Sequence, residues 1–158
     1  MQHIRALGFD LFDTLIMVRT PNRYEAPQRM LRSLQAQGIA VDTETFLAAY
    51  WTVIRQFLDE AKRHGRESHN SFWISTTLEQ LGHAVSPDDE RIAVAVEAYF
   101  SVFLEHAQLL PETLPLLTTL RQRYRLGLLS NLTHAPAAHQ ILAQLGLTSF
   151  FDVILVSG

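Results

Sequence analysis

The amino-acid sequence predicts an α/β fold in which a parallel sheet is interrupted by a large helical insert. Three apolar runs have the length of strands, at residues 4–9, 125–129 and 153–156, and helical patterns separate them. Residues 19–106 carry helical periodicity and no strand pattern. Strands that alternate with helices favour a parallel sheet with right-handed crossover connections.

The composition excludes several classes of protein. The 158 residues are 47% hydrophobic and 18% charged, which suits one ordinary domain or a core with an insert. A net charge of −3 gives no basic surface for nucleic acid, and without cysteine there is no disulfide or thiolate zinc site. No signal peptide is evident, and no apolar run approaches the ~20 residues of a membrane helix. We expect a soluble cytoplasmic protein without nucleic-acid or membrane partners.

The first apolar run ends in an acidic residue. A fully buried strand is predicted, because no polar face is left by Ile4, Ala6, Leu7 and Phe9, and Asp10 follows at its carboxyl end. Ligands collect at the carboxyl ends of strands in open parallel sheets, so Asp10 is a candidate nucleophile or metal ligand. The structural alternative is that Asp10 and Asp13 cap the following turn.

The insert is predicted to contain four helices, over about residues 24–37, 43–64, 70–81 and 87–106, with Asp42 or Thr43 as the N-cap of the second. The clearest start signal is Ser86 as N-cap, followed by Pro87 at the first helical position and three acids. Aromatic residues of the insert are expected to form its core, and the alternative is that one or two of them face substrate. These aromatic residues are Phe46, Tyr50, Phe57, Phe72, Trp73, Tyr99 and Phe103.

After the insert the chain alternates helix and strand. A helix over about 113–123 precedes the second apolar run, which ends in the small polar residues Ser130 and Asn131. Pro136 opens another helix, and a third buried strand follows at 153–156. The polar ends of these strands are therefore candidates for the same site as Asp10.

Two of these segments resemble motifs of a known family. Residues 9–15, Phe-Asp-Leu-Phe-Asp-Thr-Leu, resemble the first motif of the haloacid dehalogenase (HAD) superfamily, and residues 128–131, Leu-Leu-Ser-Asn, resemble its second. The helical insert between the two motifs also resembles the helical cap that members of that family carry after the first motif. The resemblance implies a three-layer, Rossmann-like parallel sheet, incomplete here, formed by residues 1–18 and 107–158, with a helical cap at 19–106.

The resemblance also implies the chemistry of the site. Asp10 would attack phosphorus, or carbon in the dehalogenase branch, and form a covalent intermediate. Thr14, Ser130 and Asn131 would orient Asp10 or hold the transferred group. Mg²⁺ would bind to the Asp10 carboxylate, to the main-chain carbonyl of Phe12 and to acids of a later motif. The implied activity is hydrolysis of a small phosphate ester.

Phe12 departs from the phosphatase pattern. Phosphatases of this family usually have an aspartate there as general acid, and its loss typically costs ~10²–10⁴-fold in rate. Dehalogenases carry an aromatic residue at this position, so a 2-haloacid dehalogenase is the alternative. Dehalogenases also hold the substrate with a cap arginine, for which Arg19 and Arg23 are candidates, although both could be simply solvated. Asp13 and His134 are further candidates to contact substrate.

A second departure concerns the later motifs. The family's third-motif lysine and fourth-motif acids lie beyond the strand that ends at Val156, and Lys62, the only lysine, is in the insert. We therefore expect little or no activity from the 158 residues alone. The first strand would be an apolar edge that pairs in a homodimer or with a completing chain. A fragment, or a non-catalytic interaction protein, is the remaining reading.

Overall fold

The structure is a computed structural model that describes residues 4–157. It divides into two compact units. Residues up to Thr20 and from Phe103 onward form the first, here the sheet unit, and Pro21–Val102 form the second, here the helical unit. The strands are β1 (Ala6–Phe9), β2 (Ile16–Val18), β3 (Ala107–Leu109), β4 (Arg125–Ser130) and β5 (Val153–Val156). The α-helices are α1 (Glu25–Ala36), α2 (Thr43–His64), α3 (Asn70–Gln80), α4 (Glu90–His106), α5 (Thr113–Arg121) and α6 (Ala135–Gln144).

The predicted parallel sheet is confirmed. Its strand order is β1-β4-β5, with both neighbouring pairs parallel. Phe9 lies opposite Leu128, and Ser130 lies opposite Val156. The carboxyl ends of the three strands therefore meet at one edge of the sheet, where Asp10 and Asn131 follow β1 and β4.

The prediction of fully buried strands is wrong for the described residues, because the sheet has one covered and one open face. Leu126 and Leu128 of β4 are buried with Leu117 of α5 and Ile141 of α6 in one hydrophobic core. Alternate residues point to the other face and remain exposed. They are Leu129 (65%), Val153 (54%) and Leu155 (57%). Side chains alternate along a strand, so helices that pack on one face bury only every second residue.

A two-stranded antiparallel ribbon, which the sequence did not predict, lies where the insert leaves and rejoins the sheet unit. It pairs β2 with β3, and Val18 lies opposite Ala107. The Arg19 N–H also donates to the His106 carbonyl at 3.3 Å. Both crossings between the units are therefore held within the sheet unit by backbone hydrogen bonds.

The helical unit confirms most of the predicted helices and corrects one start. The Asp42 side chain accepts from the Thr45 N–H at 2.9 Å and caps α2, as predicted. Helix α4, however, begins at Glu90 and not at Pro87. Ser86 to Asp89 forms a turn instead, and the Asp89 carboxylate accepts from the Arg91 N–H at 2.9 Å. Ser86 and Asp89 are both favourable N-cap residues and lie three positions apart, and the helix begins directly after Asp89.

Of the aromatic residues expected in the core, two are buried, Phe46 and Tyr50. Phe72 is 47% exposed, so its placement in the core was wrong, and the other four, Phe57, Trp73, Tyr99 and Phe103, are half-buried. The fully enclosed side chains include Met30, Leu34, Phe46, Tyr50, Ile74, Leu78 and Ile92.

Among the described residues, no helix combines the length and the apolar character needed to cross a membrane.

Candidate active site

Asp10 stands directly after the last residue of β1 and is exposed. Its Oδ1 accepts a hydrogen bond from the N–H of the next residue, Leu11, at 2.7 Å. This bond fixes the carboxylate at the sheet edge. A carboxylate that is both held in place and open to solvent can act as a nucleophile or bind a cation.

A tight turn follows Asp10 and returns the chain into β2. The Leu11 carbonyl accepts from the N–H groups of Leu15 at 2.9 Å and Ile16 at 3.1 Å, and the Asp13 N–H donates to the Ile16 carbonyl at 2.8 Å. Asp13 has a φ of 57°, a left-handed conformation that aspartate tolerates better than most residues. Asp13 and Thr14 are both exposed in this turn.

The side chain and the carbonyl of Phe12 have different environments. The ring packs edge-on against Phe103, with centroids 6.4 Å apart and an interplanar angle of 85°. It is therefore part of the packing and has no proton to transfer. None of the backbone hydrogen bonds of the turn uses the Phe12 carbonyl. That oxygen remains available as a ligand for a hard cation.

Polar groups of β4 and β5 meet at the same edge. Ser130 is 1% exposed, and its Oγ has no hydrogen-bond partner among the described residues. Asn131 is exposed, and its Oδ1 accepts from the Ser157 hydroxyl, which follows β5. The Ser157 N–H also donates to the Ser130 carbonyl at 3.1 Å. Sequence reasoning missed Ser157, because a single serine after a strand carries no signal until the strand order is known.

His134 and Arg19 lie in different parts of the sheet unit. His134 is 8% exposed and occupies the N-cap position of α6, in the segment that follows Asn131. Arg19 follows the β2–β3 ribbon and is exposed, and its Nε donates to the Met17 sulfur at 2.8 Å. His134 is thus three residues beyond Asn131 in the chain, whereas Arg19 contacts Met17 of the ribbon and His106 directly before it.

Asp152, the only acid after Asn131, lies at the opposite edge of the sheet. It precedes β5, and its Oδ2 accepts from the Leu126 N–H at 3.0 Å. Its Oδ1 accepts from the exposed Arg125 guanidinium at 3.1 Å. The backbone hydrogen bond from Leu126, with a smaller contribution from Arg125, lowers the pKa of Asp152. Asp152 therefore ties the starts of β4 and β5 together.

The described residues fit part of a magnesium site. Mg²⁺ prefers hard oxygen ligands in octahedral geometry, and it keeps several water molecules. The exposed Asp10 carboxylate and the unused Phe12 carbonyl are two such oxygens on one turn. Asp13 is a second exposed carboxylate in that turn. The donor set has the right chemistry for Mg²⁺.

A family model of haloacid dehalogenase-like hydrolases matches residues 4–158. The chain therefore belongs to the haloacid dehalogenase-like hydrolase family. A search of curated proteins found no match.

Solved structures show the same fold, and the chain spans 64% of the length of each of three of them. An HAD-hydrolase of Bacillus subtilis, YfnB, bound to magnesium, is 23% identical over 99% of this chain, with a TM-score of 0.56. A 2-haloacid dehalogenase of Pseudomonas syringae pv. Tomato DC3000 is 25% identical over 98%, with a TM-score of 0.58. A Haemophilus somnus 129pt protein, named a predicted phosphoglycolate phosphatase, is 17% identical over 99%, with a TM-score of 0.53. The Rossmann-like fold with a helical cap, which the motifs implied, is confirmed.

Proposed function

We propose that the protein hydrolyses a small phosphate ester through a covalent intermediate on Asp10. The observation that carries this proposal is the pairing of two groups at one sheet edge. Asp10, an exposed carboxylate, follows β1, and the unpartnered Ser130 hydroxyl ends the neighbouring strand β4. Adjacent strands lie about 4.8 Å apart, so a substrate at this edge can meet both.

The reaction has two steps. A carboxylate oxygen of Asp10 attacks phosphorus, the ester P–O bond breaks, and the alkoxide leaves with the electron pair of that bond and takes a proton from water to become the alcohol. Water then attacks the aspartyl phosphate and releases inorganic phosphate and the Asp10 carboxylate. Ser130 and Asn131 hold the phosphoryl oxygens, and Thr14 orients Asp10. The Asp10 carboxylate and the Phe12 carbonyl would hold Mg²⁺, which when bound would neutralise charge between the nucleophile and the phosphate.

The leaving group receives no proton from Phe12. Its ring contacts Phe103 and has no acidic hydrogen. Esters of acidic alcohols, which leave as stable anions, should therefore react fastest. We expect p-nitrophenyl phosphate to be hydrolysed ~10²-fold or more faster than an alkyl phosphate, because a general acid typically contributes ~10²–10⁴-fold.

The second candidate is a 2-haloacid dehalogenase, in which Asp10 attacks carbon and expels halide, and water then hydrolyses the resulting ester. Two observations favour it: the aromatic Phe12 ring and the 25% identity to a protein named 2-haloacid dehalogenase. In this reading Arg19, Asp13 and His134 remain proposed contacts to substrate. The leaving halide needs no proton, so the absence of a general acid at position 12 does not slow this reaction.

The test separates the two reactions in the protein as its natural gene encodes it. A phosphatase releases phosphate from p-nitrophenyl phosphate with Mg²⁺ and loses this activity in Asp10→Asn. A dehalogenase releases chloride from 2-chloropropionate in the presence of EDTA. The matched control is Glu112→Gln, an exposed carboxylate of the same unit at the start of α5. Absence of both reactions would contradict the proposal and favour a non-catalytic interaction protein.

Pairing through β1 is also proposed. Within the described residues β1 pairs with β4 alone, which leaves the backbone groups of its other edge without a strand. A second copy of the chain or a completing polypeptide could add a strand there. Light scattering on the natural protein measures this directly, and a monomeric mass would contradict the homodimer.

A further inference from the structure

Ser157 is joined to the end of the neighbouring strand by two hydrogen bonds. Its N–H donates to the Ser130 carbonyl at 3.1 Å, which extends the parallel pairing of β4 and β5 by one residue beyond Val156. Its hydroxyl donates to the Oδ1 of Asn131. The backbone bond fixes where Ser157 lies, so the bond from its hydroxyl holds the Asn131 side chain from a fixed position.

The direction of the second bond decides how the Asn131 amide is turned. A carboxamide carries an oxygen that only accepts hydrogen bonds and a nitrogen that only donates them. Because the oxygen is bound by Ser157, which follows β5, the nitrogen is turned away from that strand. In the strand order β1-β4-β5, the strand on the other side of β4 is β1, and Asp10 follows it.

The orientation of this amide matters because its two ends act oppositely on a negative charge. The N–H groups donate to an anionic oxygen, and such hydrogen bonds are stronger than those between neutral groups. The amide oxygen repels the same charge. A donor that already points to the place where charge develops needs no reorganisation during the reaction. A hydroxyl bound to the amide oxygen therefore selects the useful end.

We propose that Ser157 is a positioning residue of the candidate active site, whose hydroxyl holds the Asn131 amide with its N–H groups toward the group bound at Asp10. The inference rests on the proposed function, in which Asn131 holds a phosphoryl oxygen. Ser157 acts through Asn131 and makes no contact of its own with the substrate. Its effect must therefore disappear when the Asn131 side chain is removed.

The experiment is a double-mutant cycle in the protein as its natural gene encodes it. Ser157→Ala, Asn131→Ala and the double variant are compared with the parent for hydrolysis of p-nitrophenyl phosphate with Mg²⁺, and by calorimetry for binding of inorganic phosphate. We expect Ser157→Ala to lower kcat and to weaken phosphate binding about three- to tenfold, the usual effect of losing one hydrogen bond. In the Asn131→Ala background the same change should have no further effect, because residues that act through one another are not additive.

Two further variants separate positioning from stability. Ser157→Thr keeps the hydroxyl and should restore the activity to near the parent level. Ser149→Ala removes an exposed serine of the same unit, in the short turn before β5, and should change neither measurement. The melting temperature of Ser157→Ala should stay close to that of the parent, because Ser157 is exposed and its backbone bond remains.

The outcomes distinguish this proposal from the proposed function. Full activity in Ser157→Ala, additive effects in the cycle, or a loss explained by a lower melting temperature would overturn the positioning role alone. A parent that binds phosphate without hydrolysing p-nitrophenyl phosphate, with the coupling to Asn131 intact, would contradict the proposed function alone. If the parent acts only as a dehalogenase, chloride release from 2-chloropropionate becomes the measurement in the same cycle. A parent with neither activity and no phosphate binding would overturn both.

Discussion

The two edges of the three-stranded sheet differ in how their polar groups are satisfied. At the amino edge both oxygens of Asp152 accept hydrogen bonds, from the Leu126 N–H and from Arg125. At the carboxyl edge the Ser130 hydroxyl has no partner in the described part of the chain. Asp10 there accepts from its own neighbour, Leu11, and is exposed.

Under the proposed function, this difference separates the residues that stabilise the sheet from those that act on substrate. At the amino edge, both carboxylate oxygens of Asp152 accept hydrogen bonds from the start of β4, which links β5 to β4. The pKa of Asp152 is lowered as a result. The carboxyl edge keeps a carboxylate, a hydroxyl and a carbonyl available for a ligand. Substitutions at the two edges should therefore change different measurements.

The largest effect is expected from Asp10→Asn at the carboxyl edge. Loss of a nucleophile typically lowers kcat on the order of 10⁴–10⁶-fold. The melting temperature should stay close to that of the parent protein, because Asp10 is exposed and asparagine retains an acceptor for the Leu11 N–H. Steady-state kinetics and thermal unfolding of the same preparation test the predicted loss of kcat and the predicted melting temperature. A variant that keeps its activity would remove Asp10 from the mechanism.

The two faces of β4 extend the comparison to stability. Leu128 is 2% exposed and Leu129 is 65% exposed, although they are neighbours. Leu128→Ala should lower the free energy of unfolding by about 2–5 kcal/mol. Leu129→Ala should cost less than about 0.5 kcal/mol. Urea denaturation measures both, and an equal loss in the two variants would show that both faces are covered in the protein as it was tested.

Ser130→Ala should reduce activity with little loss of stability. Removing one donor to a developing negative charge typically costs about 10²–10³-fold in kcat. Its Oγ has no partner in the described residues, so its removal breaks no hydrogen bond of the folded protein. Thr113→Val is the contrasting variant, because the Thr113 hydroxyl donates to the Leu15 carbonyl at 2.6 Å. A Ser130 variant with full activity would argue that this hydroxyl does not touch the substrate.

Asp152→Asn is expected to have the smallest effect, on acid stability. The folded-state pKa of Asp152 is below the ordinary value of 3.8, so its contribution is complete above that value and is lost as the pH falls through the folded pKa. The variant should be less stable at pH 7 and should lose less stability on acidification. Melting temperatures at pH 7 and pH 3 test this. Arg125→Ala should change them less, because the backbone bond to Leu126 is the larger cause.

The sequence predicted the parallel sheet and the position of Asp10 because both depend on local patterns. An apolar run ended by an acid needs no tertiary information, and the same is true of Asp42 at the start of α2. The start of α4 was wrong by three residues, because Ser86 and Asp89 are both good N-caps and only the turn between them decides.

Other features depend on what packs against what, which a single sequence does not encode. An apolar strand such as β5 carries no sign of how many of its faces helices cover. Tyr50 and Trp51 look like ordinary core residues, since aromatic side chains at helical spacing usually are. Only the atomic surroundings show that the Tyr50 hydroxyl and the Trp51 indole N–H have no acceptor within residues 4–157. Whether a buried donor finds an acceptor is therefore not visible in a sequence.

The β2–β3 ribbon has a consequence for how this architecture could change over time. Val18 pairs with Ala107, so β2 and β3 form a hairpin in which residues 19–106 occupy the position of the connecting loop. The entropy of closing a loop grows only with the logarithm of its length, by about 0.6 kcal/mol for each doubling. A different module could be spliced between these two strands with small thermodynamic effect on the sheet. The ribbon is thus a junction at which the inserted segment can be exchanged while the pairing of β2 with β3 is kept.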